Sequence, residues 1–219
     1  MKILALDSAT SHCSIALCDD GRRIVDDRIP EGASQGDRVP SIVAAMLDEA
    51  ELRIDDLDRL AVTIGPGRFT GLRAGLGFMR GLSLASGVPL IGDSPRITTL
   101  EALQPSAACT GDEIAVAVID SKRAELFFQL FDARGAALTA AFALRPDALA
   151  QRVQVHPRIV VVGEQAQMVA AFLGSTARAV ECHVDAFDVA AIAAGRTPTP
   201  TPPGPLYIHP PATTAPARA

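Results

Sequence analysis

The chain has 219 residues, 48% hydrophobic and 21% charged, with a formal net charge of −5. That supplies a core for one large domain or two compact lobes. It excludes a polybasic surface able to grip nucleic acid alone, because such affinity comes mainly from Lys and Arg neutralising phosphates.

The four cysteines, Cys13, Cys18, Cys109 and Cys182, form no CxxC pair, zinc-ligand spacing or dense disulfide framework. The Met-Lys start runs into an apolar segment too short for a signal h-region or a membrane span. The expectation is a cytoplasmic protein with no membrane association, whose cysteines are reduced, small core residues.

Ile3-Leu4-Ala5-Leu6 reads as a strand buried on both faces. Small polar residues break it at Asp7 to Ser11. Ser14 to Cys18 reads as a second strand, Asp19-Asp20-Gly21 as a hairpin turn, and Arg23 to Ile29 as the returning strand. Val39, Ile42, Val43, Met46, Leu47 and Ala50 have the spacing of an amphipathic helix, with Pro40 expected in its first turn. Leu60 to Ile64 predicts a fourth strand, Gly71 to Ser86 a second helix, and Val88 to Ile91 a short buried strand. A connecting helix over Ser94 to Leu103 leads to strands at Ile114 to Ile119 and Glu125 to Phe131. Asp132 to Gly135 is a turn, and Leu138 to Leu144 is expected to pair nearby. Arg158 to Val162 predicts a strand ending at Gly163, and Gln165 to Leu173 a helix. The expected division is residues 1–100, 101–196 and a Pro-rich tail over 197–219, extended or without fixed structure. No internal sequence repeat is visible.

Asp7, Ser8 and Thr10 are the candidate cofactor-binding residues. In an ATP-binding actin-like fold, such a loop holds phosphate and a hydrated metal ion. The loop lacks Gly-rich phosphate-cradle patterning, and no Walker-type sequence occurs. The competing reading, in which these groups satisfy the backbone of a turn, is favoured.

Gly65-Pro66-Gly67-Arg68-Phe69-Thr70-Gly71 is the most specific stretch, with glycines for a tight turn and Thr70 as a candidate N-cap. Such a helix start binds an anion or serves packing. Gly75, Gly77 and Gly81 inside the helix each cost roughly 0.5–1 kcal/mol relative to Ala. Close approach of another backbone along Ala74, Gly77, Gly81 and Ala85 is the natural offset, and spacing leaves open whether it is in this chain or another. His12, His156, His183 and His209 are scattered and make no two-ligand helix pattern. There is no GxSxG nucleophile elbow. No metal ligand set, cofactor or catalytic residue is expected, and the isolated chain is expected to be inactive.

The runs ILALDSATSHCSIAL (residues 3–17), Val62 to Gly75, Gly81 to Ala85, Val88 to Gly92, Asp120 to Phe127 and Pro205 to Ile208 resemble the bacterial TsaB family. That family is the scaffold partner in threonylcarbamoyladenosine synthesis on tRNA. The match is dense over residues 1–130 and thin over 131–204. The resemblance implies an α/β actin-like ATPase fold of two lobes, the second reduced. It also implies a non-catalytic subunit needed for threonylcarbamoyl transfer to adenosine 37 of ANN-decoding tRNAs.

Its implied partners are a TsaD-like catalytic subunit, a TsaE-like ATPase and, indirectly, tRNA; the small-residue face of the second helix is expected to serve a homodimer when the partner is absent. The TsaD-like partner carries its metal on an HxxxH motif. The comparable stretch here, Ser34-Gln35-Gly36-Asp37-Arg38-Val39, has no histidine. Partner contact is expected through Ile42, Val43, Met46 or Leu47 of the first helix, whichever face outward. On the second helix it is expected through Ala74, Gly77, Phe78, Gly81 and Ala85. The competing readings are a nucleotide-dependent enzyme of the actin and sugar-kinase class, and a peptidase-like protein.

Overall fold

The computed structural model describes residues 1–30, 35–91, 97–153, 156, 158–199 and 201–209. Strands β1 (Lys2–Asp7), β2 (Cys13–Asp19) and β3 (Arg22–Ile29) form an antiparallel meander. Asp20 and Gly21 join β2 to β3 with φ of 44° and 73°. Positive φ at both residues of a two-residue loop matches the right-handed twist of the flanking strands.

Helix α1 (Gln35–Glu49) follows. It starts earlier than its periodicity indicated, so Pro40 lies inside the helix and not in its first turn. The missing N–H there removes one helical hydrogen bond. Strand β4 (Arg59–Val62) pairs parallel to β1. Helix α2 (Phe69–Ser86) closes on Gly87, whose φ of 75° suits a left-handed C-cap. Its N-cap is Arg68, without a side-chain cap bond, so Thr70 does not cap it. The helix start is fixed instead by the Arg68 N–H donating to the Ala9 carbonyl at 2.6 Å. The strand expected at Val88 to Ile91 is reduced to a parallel bridge between Leu90 and Leu60.

Of the helix expected over Ser94 to Leu103, residues 94–96 lie outside the described residues. The remainder forms α3 (Thr99–Leu103), capped by the Thr98 hydroxyl accepting from the Glu101 N–H. The second half then repeats the winding of the first. Strands β5 (Ile114–Ile119), β6 (Leu126–Phe131) and β7 (Phe142–Leu144) form a meander, followed by α4 (Pro146–Val153). Strand β8 (Ile159–Gly163) pairs parallel to β5, and α5 (Ala166–Leu173), β9 (Ala177–Glu181), which pairs parallel to β8, and α6 (Ala186–Ala194) follow. The sheet orders are β3-β2-β1-β4 and β7-β6-β5-β8-β9. The repeat absent from the sequence is present in the topology, because it preserves period and order rather than residue identity.

Three apolar layers result, sorted by strand alternation. Leu4, Leu6, Ile15, Leu17, Leu60 and Val62 face α1 and α2. Val116, Val118, Phe128 and Val161 face the layer holding Leu149 of α4 and Val169 of α5. The opposite faces of both sheets meet in one shared core, where Ala5, Ala16, Ala61, Ala115 and Ala117 leave room for the helices between. Within it α6 packs on β1 and β2, while α3 packs on β5 and β6. Each half therefore contributes the helix that covers the other half's sheet.

Tail residues 203–209 have no regular structure and are docked on the first half. The Leu206 N–H donates to the Ile64 carbonyl at 2.7 Å, and Arg73 Nε donates to the Tyr207 hydroxyl at 2.9 Å. Residues 210–219 lie outside the described residues.

Candidate functional site

The loop after β1 and the loop before α2 are packed into one another. Gly67, which follows the cis Gly65-Pro66 peptide, packs against Ala9 of the Asp7–Thr10 turn. A Cβ on Gly67 would sit 2.1 Å from the Ala9 carbonyl oxygen, and one on Gly75 would sit 2.0 Å from Ser8 Oγ. Ser8 Oγ donates to the Gly71 carbonyl at 2.9 Å. The glycines of this motif at 67 and 75 are thus required by contact with the first loop.

Asp7 is fully buried at the centre of the junction. Its carboxylate receives the hydroxyls of Thr63 and Thr10, and the Ala9 N–H at 3.4 Å. Burial pushes its pKa up to about 6, against the opposing pull of the Thr63 and Thr10 hydrogen bonds. Ser8 and Thr10 are also buried. All three candidate cofactor residues have their polar groups engaged within the chain.

The outer side of α2 is different. A Cβ at Gly77 or Gly81 would meet nothing within 4 Å. Ala85 is exposed, Ala74 and Phe78 are half-buried, and Leu84 is 89% exposed. On α1, Ile42 and Leu47 are half-buried. Val43 and Met46 are a correction to the expected partner-contact set. Both are buried among Leu4, Leu72 and Leu76 in the core beneath α1 and α2, and so offer nothing to a partner. The histidine-free stretch at Ser34 to Asp37 falls outside the described side chains.

The fold also assembles a cluster that no sequence spacing revealed. His12 lies just before β2, Glu164 just after β8, and His183 between β9 and α6. The His12 and His183 rings are 3.8 Å apart between centroids. His183 Nδ1 is 3.3 Å from Glu164 Oε1. Ser11 binds Glu164 Oε1 through its N–H at 2.9 Å and through its hydroxyl, which also lies 3.0 Å from His12 Nδ1. The sequence offered a signal only for His12 and Glu164, which each adjoin the end of an expected strand. Their sequence separations conceal the rest.

A family model described as TsaD: tRNA N6-adenosine threonylcarbamoyltransferase matches residues 28–191. The Escherichia coli (strain K12) tRNA threonylcarbamoyladenosine biosynthesis protein TsaB is 34% identical over 129 residues, 58% of this chain and 54% of that protein. The chain thus spans about half the length of the curated TsaB relatives it matches. Among solved structures, one from Pseudomonas aeruginosa is described as an uncharacterized protein with similarity to peptidase YEAZ. It superposes with a TM-score of 0.79 over 95% of this chain and 99% of that chain, at 24% identity. YeaZ from Pseudomonas aeruginosa gives 0.74 over 88% and 90%, at 25% identity. The twofold winding is accordingly the α/β actin-like fold. With its model matching well over half of the residues, the family described as TsaD: tRNA N6-adenosine threonylcarbamoyltransferase is the one to which this chain belongs, as a member of the TsaB/YeaZ type.

Proposed function

We propose that this chain is a scaffold subunit in threonylcarbamoyladenosine synthesis at adenosine 37 of ANN-decoding tRNAs, not itself catalytic. It binds and activates a TsaD-like partner through the outer face of α2 with the flank of α1. The observation that carries this reading is the open space at Gly77 and Gly81. Two glycines inside a helix cost roughly 1–2 kcal/mol together relative to alanine. Among the described residues nothing comes within 4 Å of a Cβ at either glycine to offset that cost, so a close-packed neighbouring helix is the natural reason for them. The exposed Leu84 adds an apolar knob to the same side. A partner presenting two like helices would complete a four-helix bundle on this face.

The contact surface consists of Ala74, Gly77, Gly81 and Ala85, flanked by Phe78, Ile42 and Leu47. The same surface serves a homodimer when the partner is absent. A TsaE-like ATPase joins the assembly, and with a net charge of −5 this chain leaves most of the tRNA contact to its partners.

The test is to mix the purified chain with a TsaD-like protein and measure complex mass and threonylcarbamoylation of tRNA. The native chain should form the complex and raise activity, whereas Gly77→Leu and Gly81→Leu should stay folded by circular dichroism yet do neither. Normal binding by folded Leu variants would sink the interface. Steady ATP or peptide hydrolysis by the native chain alone, lost in Asp7→Ala, would sink the non-catalytic reading.

A further inference from the structure

We infer that His12, Glu164 and His183 form a binding site for a zinc-class divalent transition-metal ion that ties the two halves of the molecule together. The ligand atoms of the three residues all lie within 4.8 Å of one another. Two imidazoles and one carboxylate are a ligand set suited to such an ion, at metal–ligand distances of about 2.0–2.2 Å. Neighbouring ligands at those bond lengths are roughly 3.4 Å apart in a tetrahedron. Side-chain shifts of about 1 Å therefore complete the site, which is within the reach of rotamer adjustment in two half-buried histidines.

The support around the ligands is already present. Ser11 holds the Glu164 carboxylate with both its N–H and its hydroxyl, and the hydroxyl also engages the His12 ring. Hydrogen bonds of this kind orient a metal's ligands before the ion arrives. The position is also the one that open α/β sheets use for ligands, at the carboxyl ends of parallel strands. Glu164 follows β8, His183 follows β9, and His12 is carried by the loop that leaves β1. Because His12 belongs to the first half while Glu164 and His183 belong to the second, an ion here cross-links the two. Three protein ligands leave a fourth tetrahedral position for water or an anionic group.

Cys182 adjoins His183 but is not a competing ligand in this geometry. Its sulfur is not among the ligand atoms that lie within 4.8 Å of one another, and it is directed to Ser106 instead.

The test uses the full chain with Zn2+ and, separately, Co2+. Isothermal titration should give one site per chain, and Zn2+ should raise the melting temperature. His12→Ala and His183→Ala should each weaken binding at least tenfold and abolish the thermal shift, with Glu164→Gln weaker than the native chain. Cys182→Ser and His209→Ala should bind as the native chain does. The Co2+ complex of the native chain gives a reading independent of whether any variant folds. A low-coordinate visible spectrum without a thiolate charge-transfer band is expected. Absence of one-site binding in the native chain, binding that survives both histidine changes, or a thiolate band would each overturn the assignment.

Discussion

Ser8 and Gly75 approach so closely that a single added methyl on the glycine would lie 2.0 Å from the serine Oγ. The same helix carries Gly77 and Gly81, where the equivalent methyl would meet nothing. One helix thus holds two kinds of glycine with opposite energetic meaning. Gly75→Ala should destabilise the chain by about 1–3 kcal/mol through overpacking. Gly77→Ala or Gly81→Ala should stabilise the isolated chain by about 0.5–1 kcal/mol each through better helix propensity. Urea unfolding of the three variants checks the sign of each effect.

Asp7 makes stability depend on pH in an unusual direction. Its folded pKa of about 6 lies above the unfolded value near 3.8, so the folded state holds the proton more tightly. The associated stability is fully present below about pH 4 and is lost as pH rises through about 6. The shift corresponds to roughly 3 kcal/mol. Glu113 acts oppositely: its hydrogen bonds from Arg178 and Thr110 depress its pKa to about 2. Its contribution is present above about pH 4.5 and lost as pH falls toward 2. Denaturant unfolding across pH 3 to 7 should show a maximum between 4 and 5. Asp7→Asn should flatten the alkaline side of that maximum, and Glu113→Gln the acid side.

Tyr207 anchors the tail by its hydroxyl and its ring together. The Arg73 guanidinium lies 3.7 Å from the Phe69 ring centroid, and the Phe69 and Tyr207 centroids are 5.7 Å apart. Tyr207→Ala should lower stability by about 1–2 kcal/mol, the combined size of aromatic and cation–π contacts at a partly exposed site. Tyr207→Phe, which removes only the hydrogen bond from Arg73, should cost about 0.5–1 kcal/mol. Equal losses in the two variants would show that the ring contributes nothing.

Leu84 separates folding from association. At 89% exposure its replacement by Asp should change the stability of the isolated chain by no more than about 0.5 kcal/mol. Sedimentation with a TsaD-like partner should nevertheless show the complex lost, since a charge on the face would be buried against another helix.

The elements with regular apolar periods were legible in the sequence: the opening meander, the strand at 60–62, helices α1 and α2, and the strands at 114–119 and 126–131. Helix α6 was not. Its run Ala-Phe-Asp-Val-Ala-Ala-Ile-Ala-Ala is apolar around most of its circumference, because it lies between two sheets and has no wet face to set a period. Its ends were readable even so: Asp185 caps it by accepting from the Phe187 N–H, and Gly195 follows it. Strand β9 was missed because its exposed residues, among them Arg178, alternate poorly. Val43 and Met46 were named beside Ile42 and Leu47 because spacing alone leaves open which edge of an apolar stripe turns inward. The packing of Gly67 and Gly75 onto Ala9 and Ser8 depends on contacts across some sixty residues, beyond any local pattern.

The crossed placement of α3 and α6 has a consequence for how the polypeptide can be divided. A cut in the connection between α3 and β5 would release two fragments, each carrying away the helix that covers the other's sheet. Each fragment alone would leave the alanine-lined side of its sheet bare to water. Expressed together, the two pieces would reunite as a heterodimer, and in the uncut chain the slowest-exchanging amides of both sheets would open in a single event.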